Sequence, residues 1–341
     1  MWLLPMKKVF SFVFLSFYLL TSAFDTISVN HTDSNTYSVS SDNLTWTNLS
    51  NPQIVENDSV VELYPRVLPY EGKLSVGMSF KSGQKVGTNQ EISRRCTSGF
   101  AVKRLGLGRF DHGYLTVGGC SIKKREEIPH NGFSAYFGGL PNRVGVIKKG
   151  DLFYSPEQGI NAVAIKILAD YWDPIRSTQV SVAVESGEEE ESSLELVDVR
   201  DAAVAKVGDR VCFYSEYSEF NCGEVKVVGS SGEALAPWKS TFELPFGLKV
   251  SYYPLEYYRN LVHVELDFYP KALSDRVASY DSGAPVFIPV LDENGRIIAV
   301  HPVGILVLYE TLSLTPRMDY MLLDSLLRES GLTLLTTPQH N

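Results

Sequence analysis

The chain has no surplus of basic residues. Its 341 residues include 31 lysines and arginines against 40 aspartates and glutamates, so the net charge is −9. This balance excludes nucleic acid as an expected partner, because no positive excess exists to neutralise phosphates. The sequence also has no glycine-rich phosphate loop, no internal repeat and no alternation of strands with helices. What remains, 44% hydrophobic and 21% charged residues, is an ordinary globular composition.

Long hydrophobic runs are scarce as well. The run over residues 9–20 is too short to span a bilayer comfortably. It follows Lys7 and Lys8 and precedes the small residues Ser22 and Ala23. This arrangement predicts a secretory signal peptide over 1–23, with a membrane anchor as the alternative. Residues 297–308 are also apolar, but a histidine, a proline and a glycine interrupt them, which favours a buried strand.

A polar leader follows the predicted signal and is expected to extend over residues 24–75. It is rich in serine, threonine and asparagine, and we expect it to be weakly ordered. All the N-glycosylation sequons of the chain lie in this segment, which supports secretion to the extracellular space. They begin at Asn30, Asn43, Asn48 and Asn57.

Cysteine is rare, and the count is even. The four cysteines are Cys96, Cys120, Cys212 and Cys222. Behind a signal peptide this number predicts two disulfides, and three pairings are possible. Free buried thiols are less expected outside the cytosol, and the spacing does not suit a zinc site. No metal and no other cofactor is expected.

Beyond residue 90 the pattern is mostly short apolar runs separated by glycine, proline, asparagine and aspartate. It predicts an all-β sandwich or barrel. A glutamate run over 188–191 indicates a solvated loop, with acid-mediated partner binding as the alternative. Residues 186–199 are therefore predicted to be an acidic linker between two β units. Near the end, Met318, Leu322 and Leu326 predict a core-docking helix that starts close to Pro316 and ends at Gly331, and a partner-binding helix is the alternative.

Three separated segments resemble trypsin-like serine proteases, especially the bacterial branch with streptogrisins and α-lytic protease. The first comprises residues 96–102 and 113–120, where one cysteine opens a strand and the next ends a Thr-Val-Gly-Gly-Cys motif. The second holds the later cysteine pair, over residues 207–225. The third is an Asp-Ser-Gly turn at 281–283, followed by a Pro-Val-Phe strand.

The resemblance covers roughly residues 90–332. It implies two six-stranded antiparallel β-barrels with a cleft between them and a C-terminal helix. We expect the barrels over 76–185 and 200–333, followed by a tail over 334–341. The resemblance also implies the pairings Cys96–Cys120 and Cys212–Cys222. A protein or peptide ligand is expected in the cleft.

The resemblance places Ser282 at the catalytic nucleophile and Asp281 at the buried carboxylate that shapes its turn. A serine nucleophile needs a histidine to take its proton and a carboxylate to orient that histidine. The histidine position is Gly119, which has no side chain. The carboxylate position is Asn161, with Asp151 and Asp170 as weaker candidates. Two of the three catalytic positions are therefore altered.

The oxyanion hole is altered too. In the family a glycine before the aspartate supplies one amide donor, and here that residue is Tyr280. Gly283 is retained, whereas Ala284 replaces the last glycine of the motif. The family's cysteine shortly before the serine is missing, since residues 274–279 contain none. A disulfide at the specificity pocket is therefore not expected.

Three functions are compatible with this pattern. The first is a secreted, inactive protease homologue that acts by binding a protein or peptide. The second is an active serine hydrolase whose base is displaced to His130, His263, His301 or a lysine. Of the remaining histidines, His112 lies too far along its strand, and those at 31 and 340 lie in the tails. The third function is a structural cell-surface protein. The oligomeric state and the fate of the leader are left open.

Overall fold

The computed structural model of the chain describes twelve ranges: residues 73–86, 90–105, 110–121, 128, 131–137, 143–184, 193–235, 240–243, 249–252, 255–268, 281–310 and 315–338. Several predicted features lie outside these ranges. They are the signal peptide over 1–23, the leader as far as residue 72, the glutamate run at 188–191, Tyr280, His130, and the sequons at Asn30, Asn43, Asn48 and Asn57.

The first half of the chain forms eight strands. They are β1 (Ser79–Val86), β2 (Gln90–Thr97), β3 (Ala101–Leu105), β4 (Phe110–Val117), β5 (Phe133–Phe137), β6 (Gly145–Ile147), β7 (Leu152–Ser155) and β8 (Ile160–Ile167). Short 3-10 helices connect some of them, at Gly118–Ser121, Lys149–Asp151, Pro156–Gln158, Ala169–Tyr171 and Arg176–Thr178. β5 shows why these segments are extended: Phe133, Ala135 and Phe137 are buried and alternate with half-buried residues.

The second half adds eleven strands and a helix. The strands are β9 (Gln179–Val184), β10 (Ser193–Val199), β11 (Arg210–Ser215), β12 (Glu219–Leu235), β13 (Ser240–Glu243), β14 (Lys249–Tyr252), β15 (Leu255–Leu266), β16 (Pro285–Leu291), β17 (Ile297–Glu310), β18 (Arg317–Leu322) and β19 (Leu332–Leu334). Within the described residues there is one α-helix, α1 (Leu323–Ser330). The all-β fold with a C-terminal helix is thus confirmed.

Two large sheets hold almost all of the strands. The first has nine strands in the order β19-β3-β4-β8-β6-β5-β1-β2, with β7 paired to β8. In the second, β16 pairs with both β11 and β17, which closes β16-β11-β12-β15-β18-β17 into a six-stranded antiparallel barrel. β10 joins this barrel through a parallel pairing with β17, and β9 pairs with β10. The β13–β14 hairpin forms a separate small sheet.

The hydrophobic core falls into two clusters. One lies inside the six-stranded barrel, where Val211, Phe213, Val264 and Val286 are fully buried. The other fills the first sheet and continues into side chains of the second sheet, such as Tyr214 and Met321. The two sheets therefore share buried contacts, and residues at this junction are available to form a common site.

The predicted leader is too long at its C-terminal end. Leu74 and Ser75 were assigned to it, yet both are fully buried. The Val76 amide donates to the Gln179 carbonyl at 2.9 Å, and Gly77 donates to Ser98 at 3.0 Å. These bonds satisfy the backbone polar groups of a buried segment. Residues 74–78 therefore belong to the folded unit rather than to the leader.

The predicted boundaries between the two β units also differ from the structure. Ser193–Val199 was assigned to the acidic linker but forms β10, which pairs with β9 over residues 193–198. Gln179–Val184 was assigned to the first barrel but belongs to the second sheet. Leu332 and Thr333 were assigned to the second barrel and Leu334 to the tail, but all three pair with β3 in the first sheet. Each predicted barrel therefore contributes a strand to the sheet of the other.

The C-terminal helix begins later than predicted. Arg317–Leu322 forms β18 between β15 and β17, and Met318 and Tyr320 alternate with half-buried neighbours as a strand requires. The end of the helix is as predicted, since Gly331 has the left-handed φ of 64° that ends many helices. Two residues of the predicted tail form main-chain hydrogen bonds to the sheets: Leu335 donates to Ala101, and Thr337 donates to Val199, both at 2.9 Å.

None of the helices in the described ranges is long and apolar enough to cross a membrane.

Candidate functional site

Ser282 lies in a turn that the barrel holds by main-chain hydrogen bonds. The Gly283 amide donates to Leu306, and the Leu306 amide donates to Ala284, both at 2.9 Å. Ala284 closes the turn by donating to Asp281 at 2.8 Å. Gly283 has a φ of +97°, and a Cβ there would lie 1.9 Å from Thr116 Oγ1. Glycine is therefore required at this position by both conformation and space.

Asp281 is fully buried and is fixed by hydroxyl groups. Ser215 and Ser218 each donate a side-chain hydrogen bond to its carboxylate. The Ser215 oxygen in turn accepts the amides of Tyr217 at 3.2 Å and Ser218 at 2.9 Å. A buried carboxylate is costly unless such donors compensate it. The turn between β11 and β12 therefore serves as the support of the residue before Ser282.

The first sheet reaches Ser282 through the motif that contains Cys120. The Thr97 amide donates to the Ser282 carbonyl at 3.1 Å, and Thr116 Oγ1 donates to the Thr97 carbonyl at 2.8 Å. Cys120 Sγ lies 3.9 Å from the same Ser282 carbonyl. The structure thus brings together two segments that lie about 160 residues apart in the sequence.

Both predicted disulfides are confirmed. Cys96 is bonded to Cys120, and Cys212 is bonded to Cys222. The first links β2 to the 3-10 helix Gly118–Ser121, directly beside the Ser282 turn. The second crosses the β11–β12 pair, in which its two cysteines stand opposite each other.

Gly119 is buried within that 3-10 helix, next to Cys120. Gly119 therefore directly precedes Cys120, whose Sγ approaches the Ser282 carbonyl, but Gly119 has no side chain. A proton from the serine hydroxyl needs a basic atom within about 3 Å. Among the described residues, none forms a hydrogen bond with the Ser282 hydroxyl.

Asn161 stands where the first and second sheets meet. Val117 pairs with Ala162, so the β4–β8 register places Asn161 across from Gly118. A Cβ on Gly118 would lie 1.8 Å from Asn161 Oδ1. The Asn161 amide donates to the hydroxyl of Tyr258 in the second sheet. Asn161 is 1% exposed, and its Oδ1 has no hydrogen-bond partner within the described residues.

The two other candidate carboxylates lie elsewhere. Asp151 Oδ1 is 3.1 Å from Arg104 Nη1, in an ion pair at β3. Asp170 is exposed in a 3-10 helix, where its carbonyl accepts Lys73 Nζ at 2.7 Å. Neither contact involves the Ser282 turn or the Cys120 motif.

The described histidines also have other partners. His263 Nδ1 is 2.8 Å from Asp319 Oδ1, across the β15–β18 pair. His301 donates from Nδ1 to the Asp201 carbonyl at 2.9 Å. It stands opposite Ile288, three residues into β16 from Pro285, which is about 10 Å at the rise of a strand. The His112 ring stacks on Trp172, with 4.9 Å between the ring centres.

The chain is similar to bacterial serine proteases of known structure. Protease A of Thermobifida fusca is 15% identical, with a TM-score of 0.43 over 77% of this chain and 99% of that one. Chymotrypsin of Cellulomonas bogoriensis is 16% identical, with a TM-score of 0.43 over 78% and 100%. A serine protease specific for glutamic acid is 16% identical, with a TM-score of 0.44 over 76% and 100%. No family model and no curated protein matches the chain.

Sequence reasoning missed Glu216, which links the Ser282 support to the first sheet. Its Oε2 accepts both the amide of Ser79, at 3.0 Å, and the Ser79 hydroxyl. Burial raises the pKa of the Glu216 carboxyl to about 7, and the hydrogen bonds from Ser79 offset part of that rise. Its partner lies 137 residues away in the sequence, so no local pattern identifies the pair.

Tyr258, Ser215 and Ser218 were missed for the same reason. Each contacts a site residue at least 60 positions away. No group of three histidine, cysteine, aspartate or glutamate side chains in the described part of the chain is arranged to hold a metal ion. What the site offers is a half-buried serine on a turn that main-chain hydrogen bonds hold, next to amides and hydroxyls.

Proposed function

We propose that this protein is a secreted serine-protease homologue without peptidase activity, which binds a protein or peptide in the cleft beside Ser282. The observation that carries the proposal is the identity of the residues at the two other catalytic positions that the resemblance implies. Gly119 offers no side chain, and the Asn161 amide is engaged with Tyr258. An amide also lacks the charge that stabilises an imidazolium.

The size of the expected loss favours inactivity over slow turnover. Removing the base from a serine-protease triad lowers turnover by a factor of about 10⁶. That factor corresponds to about 8 kcal/mol of transition-state stabilisation. Members of a triad act together, so the change at Asn161 adds little to the loss caused by Gly119.

A displaced base is not favoured by the contacts of the described histidines. His263 is bonded to Asp319, and His301 is bonded to the Asp201 carbonyl. A general base must reach the hydroxyl directly or through one water. The positions of both rings on the second sheet support a structural role for each.

A binding function is favoured because the Ser282 turn has its supporting contacts, although the catalytic histidine and aspartate positions are Gly119 and Asn161. Asp281 keeps both of its hydroxyl donors, and Gly283 keeps its required conformation. Ser282 itself remains half-buried and therefore accessible to a ligand. A protein that used its two sheets only as a support would not need the Ser282 turn to be held in this detail.

Secretion is supported by two disulfides and by the N-terminal sequence pattern. Disulfides persist mainly in oxidising compartments. We expect cleavage after the predicted signal over residues 1–23, followed by glycosylation at the four sequons. Mass spectrometry of the protein collected from culture medium tests both expectations. An unprocessed N-terminus would contradict cleavage, and unmodified sequons would contradict glycosylation.

A peptide-library experiment tests the function. The wild type, Ser282→Ala and Ser282→Trp are incubated with a mixed-sequence peptide library, and both cleavage products and retained peptides are identified. Glu293→Trp, on the exposed β16–β17 turn, is the matched control. We expect no products from any variant, retention by wild type and Ser282→Ala, and at least tenfold weaker retention by Ser282→Trp.

Two results would contradict the proposal. Products that appear with wild type but not with Ser282→Ala would establish an active peptidase. Equal retention by Ser282→Trp and Glu293→Trp, with both variants folded by thermal unfolding, would place the binding surface away from the cleft.

A further inference from the structure

The turn between β11 and β12 brings two buried carboxyl groups into different surroundings. Asp281 accepts a hydroxyl on each oxygen, on Oδ1 from Ser215 and on Oδ2 from Ser218. Glu216 lies between these two serines in the sequence, and both of its donors bond to one oxygen, Oε2. Its Oε1 is buried and has no hydrogen-bond partner among the described residues. An ionised carboxylate carries its charge on both oxygens, so this arrangement suits the neutral form of Glu216.

Both donors to Glu216 belong to Ser79, the first residue of β1 in the first sheet. The Ser79 amide donates to Oε2 at 3.0 Å, and the Ser79 hydroxyl donates to the same oxygen. The chain just before Ser79 also packs on β11, since a Cβ on Gly77 would lie 2.6 Å from the ring of Tyr214. Glu216 is only 8% exposed. Its side chain therefore joins the β11–β12 turn to the first sheet within a closely packed junction.

A closed set of contacts connects Glu216 to Ser282. Ser79 stands opposite Thr97 in the β1–β2 register, and the Thr97 amide donates to the Ser282 carbonyl at 3.1 Å. From the second sheet, the two serines that flank Glu216 hold Asp281, the residue before Ser282. The Ser282 turn is thus supported from both sheets. Glu216 bonds one support to the other, so its contact with Ser79 fixes how the two supports meet.

The proton of Glu216 is held by burial and not by a charged neighbour. Burial raises the pKa of its carboxyl to about 7, and no charged group is among the causes of that rise. The described charged and titratable side chains on the segments that pack against Glu216 are Lys73, Lys81, Arg95, Tyr214, Tyr217, Glu219 and Asp281. Loss of the proton near neutral pH leaves a buried charge, for which Ser79 supplies the hydrogen bonds seen in the described residues.

Movement of the Glu216 side chain into water relieves the cost of that charge. The carboxylate regains its hydration and gives up both bonds to Ser79. We propose that protonated Glu216 is a latch that holds the Ser282 turn to the first sheet, and that loss of the proton releases it. Its effect on binding rests on the proposed function: a ligand beside Ser282 binds more tightly when the latch is closed, because more of the protein is competent to bind.

The two pKa values of Glu216 set the size of the effect. In the open form the side chain is hydrated, so its pKa returns to the reference value of 4.5 from about 7. The closed form therefore binds more protons between these values, and it loses stability relative to the open form as pH rises. From pH 6 to pH 8 this linkage raises the equilibrium constant for opening about tenfold.

Amide hydrogen exchange at pH 6 and pH 8 tests the latch without a ligand. Protection factors, corrected for the intrinsic pH dependence of exchange, are measured for the amides of Ser79, Thr97 and Gly283, which we call the junction amides. Each donates a hydrogen bond at the junction or in the Ser282 turn. The Leu115 amide reports global unfolding, because this residue is fully buried and its amide donates to the Phe100 carbonyl at 2.9 Å.

Glu216→Gln is the test variant, because the glutamine keeps an acceptor for Ser79 but does not ionise. Glu224→Gln is the control with the same chemical change, at an exposed position of β12. In wild type and Glu224→Gln we expect about tenfold lower protection of the junction amides at pH 8 than at pH 6. In Glu216→Gln we expect no fall. At both pH values the junction amides of wild type should exchange faster than Leu115.

Ser79→Ala keeps the test valid if Glu216→Gln fails to fold. The hydrogen bond from the Ser79 hydroxyl lowers the pKa of Glu216, so its removal raises that pKa further. The fall in protection of the Thr97 and Gly283 amides from pH 6 to pH 8 should then be larger than in wild type. An equal or smaller fall would count against the latch.

Three exchange results would overturn the proposal. They are unchanged protection of the wild-type junction amides between pH 6 and pH 8, the same fall in Glu216→Gln as in wild type, and protection equal to that of Leu115, which would mean that Glu216 acts only on global unfolding. Binding is a separate readout, made with the peptides that wild type retains from the library. Equal retention at pH 6 and pH 8 would overturn the regulation of binding. Absence of any retained peptide would contradict the proposed function, while the exchange result still decides the latch.

Discussion

The side-chain amide of Asn161 donates a hydrogen bond to the hydroxyl of Tyr258, which joins the first sheet to the second. Both residues are at least 98% buried. The pair occupies the place where the resemblance to serine proteases implies the orienting carboxylate. Asn161 therefore contributes a contact between the two sheets.

Tyr258→Phe tests the contribution of this hydrogen bond. The substitution leaves the Asn161 amide buried without that acceptor, which costs about 1–3 kcal/mol. We expect the free energy of unfolding, measured with urea, to fall by that amount. Tyr154→Phe is the control, because Tyr154 is 45% exposed and its change is expected to stay within about 0.5 kcal/mol. Equal effects of the two substitutions would show that the Asn161–Tyr258 bond adds no stability.

Gly118→Ala tests how closely Asn161 approaches the 3-10 helix. The new Cβ would lie 1.8 Å from Asn161 Oδ1, so either residue must move. We expect a loss of about 2–3 kcal/mol in the free energy of unfolding. Gly150→Ala is the matched control, since its Cβ would meet nothing within 4 Å. If the Gly118→Ala variant were as stable as the wild type, and Gly150→Ala also left the stability unchanged, the described position of Asn161 would be contradicted.

Glu216 predicts a dependence of stability on pH. Its pKa is about 7 in the folded protein against a reference value of 4.5. The folded state therefore binds more protons than the unfolded state between these values, and stability falls as pH rises through this window. The shift corresponds to a loss of about 3 kcal/mol between pH 4 and pH 8.

Glu216→Gln is expected to remove this dependence, because glutamine keeps an acceptor for Ser79 but does not titrate. The measurement is urea unfolding at pH 5, 6, 7 and 8. Glu329→Gln, on the exposed face of α1, is the control and should keep the wild-type slope. Parallel profiles of the wild type and Glu216→Gln would show that Glu216 does not titrate in this range.

Short-range patterns predicted much of this fold. The disulfide pairings followed from the resemblance that the spacing of Cys96, Cys120, Cys212 and Cys222 supports, and both were confirmed. Met318 was predicted to lie in a helix because the apolar residues around it fit both the helical period and the strand period. Pairing of Arg317–Leu322 with strands on both sides decided in favour of β18.

The site was predicted where it depends on motifs and missed where it depends on distant contacts. Ser282 and Cys120 come together as the motifs indicated. The roles of Tyr258 and Glu216 depend on partners 97 and 137 residues away, and nothing in their local sequence marks them. The exchange of β9 and β19 between the two sheets was missed for the same reason.

Labelling of Ser282 by a fluorophosphonate tests the central claim most directly. The reagent forms a covalent adduct only with a serine whose proton is removed by a nearby base. Intact-protein mass spectrometry compares the wild type with Ser282→Ala, and an active bacterial serine protease is the positive control. We predict that the wild type gains no more adduct than Ser282→Ala does. A stoichiometric adduct on the wild type that is lost in Ser282→Ala would contradict the account.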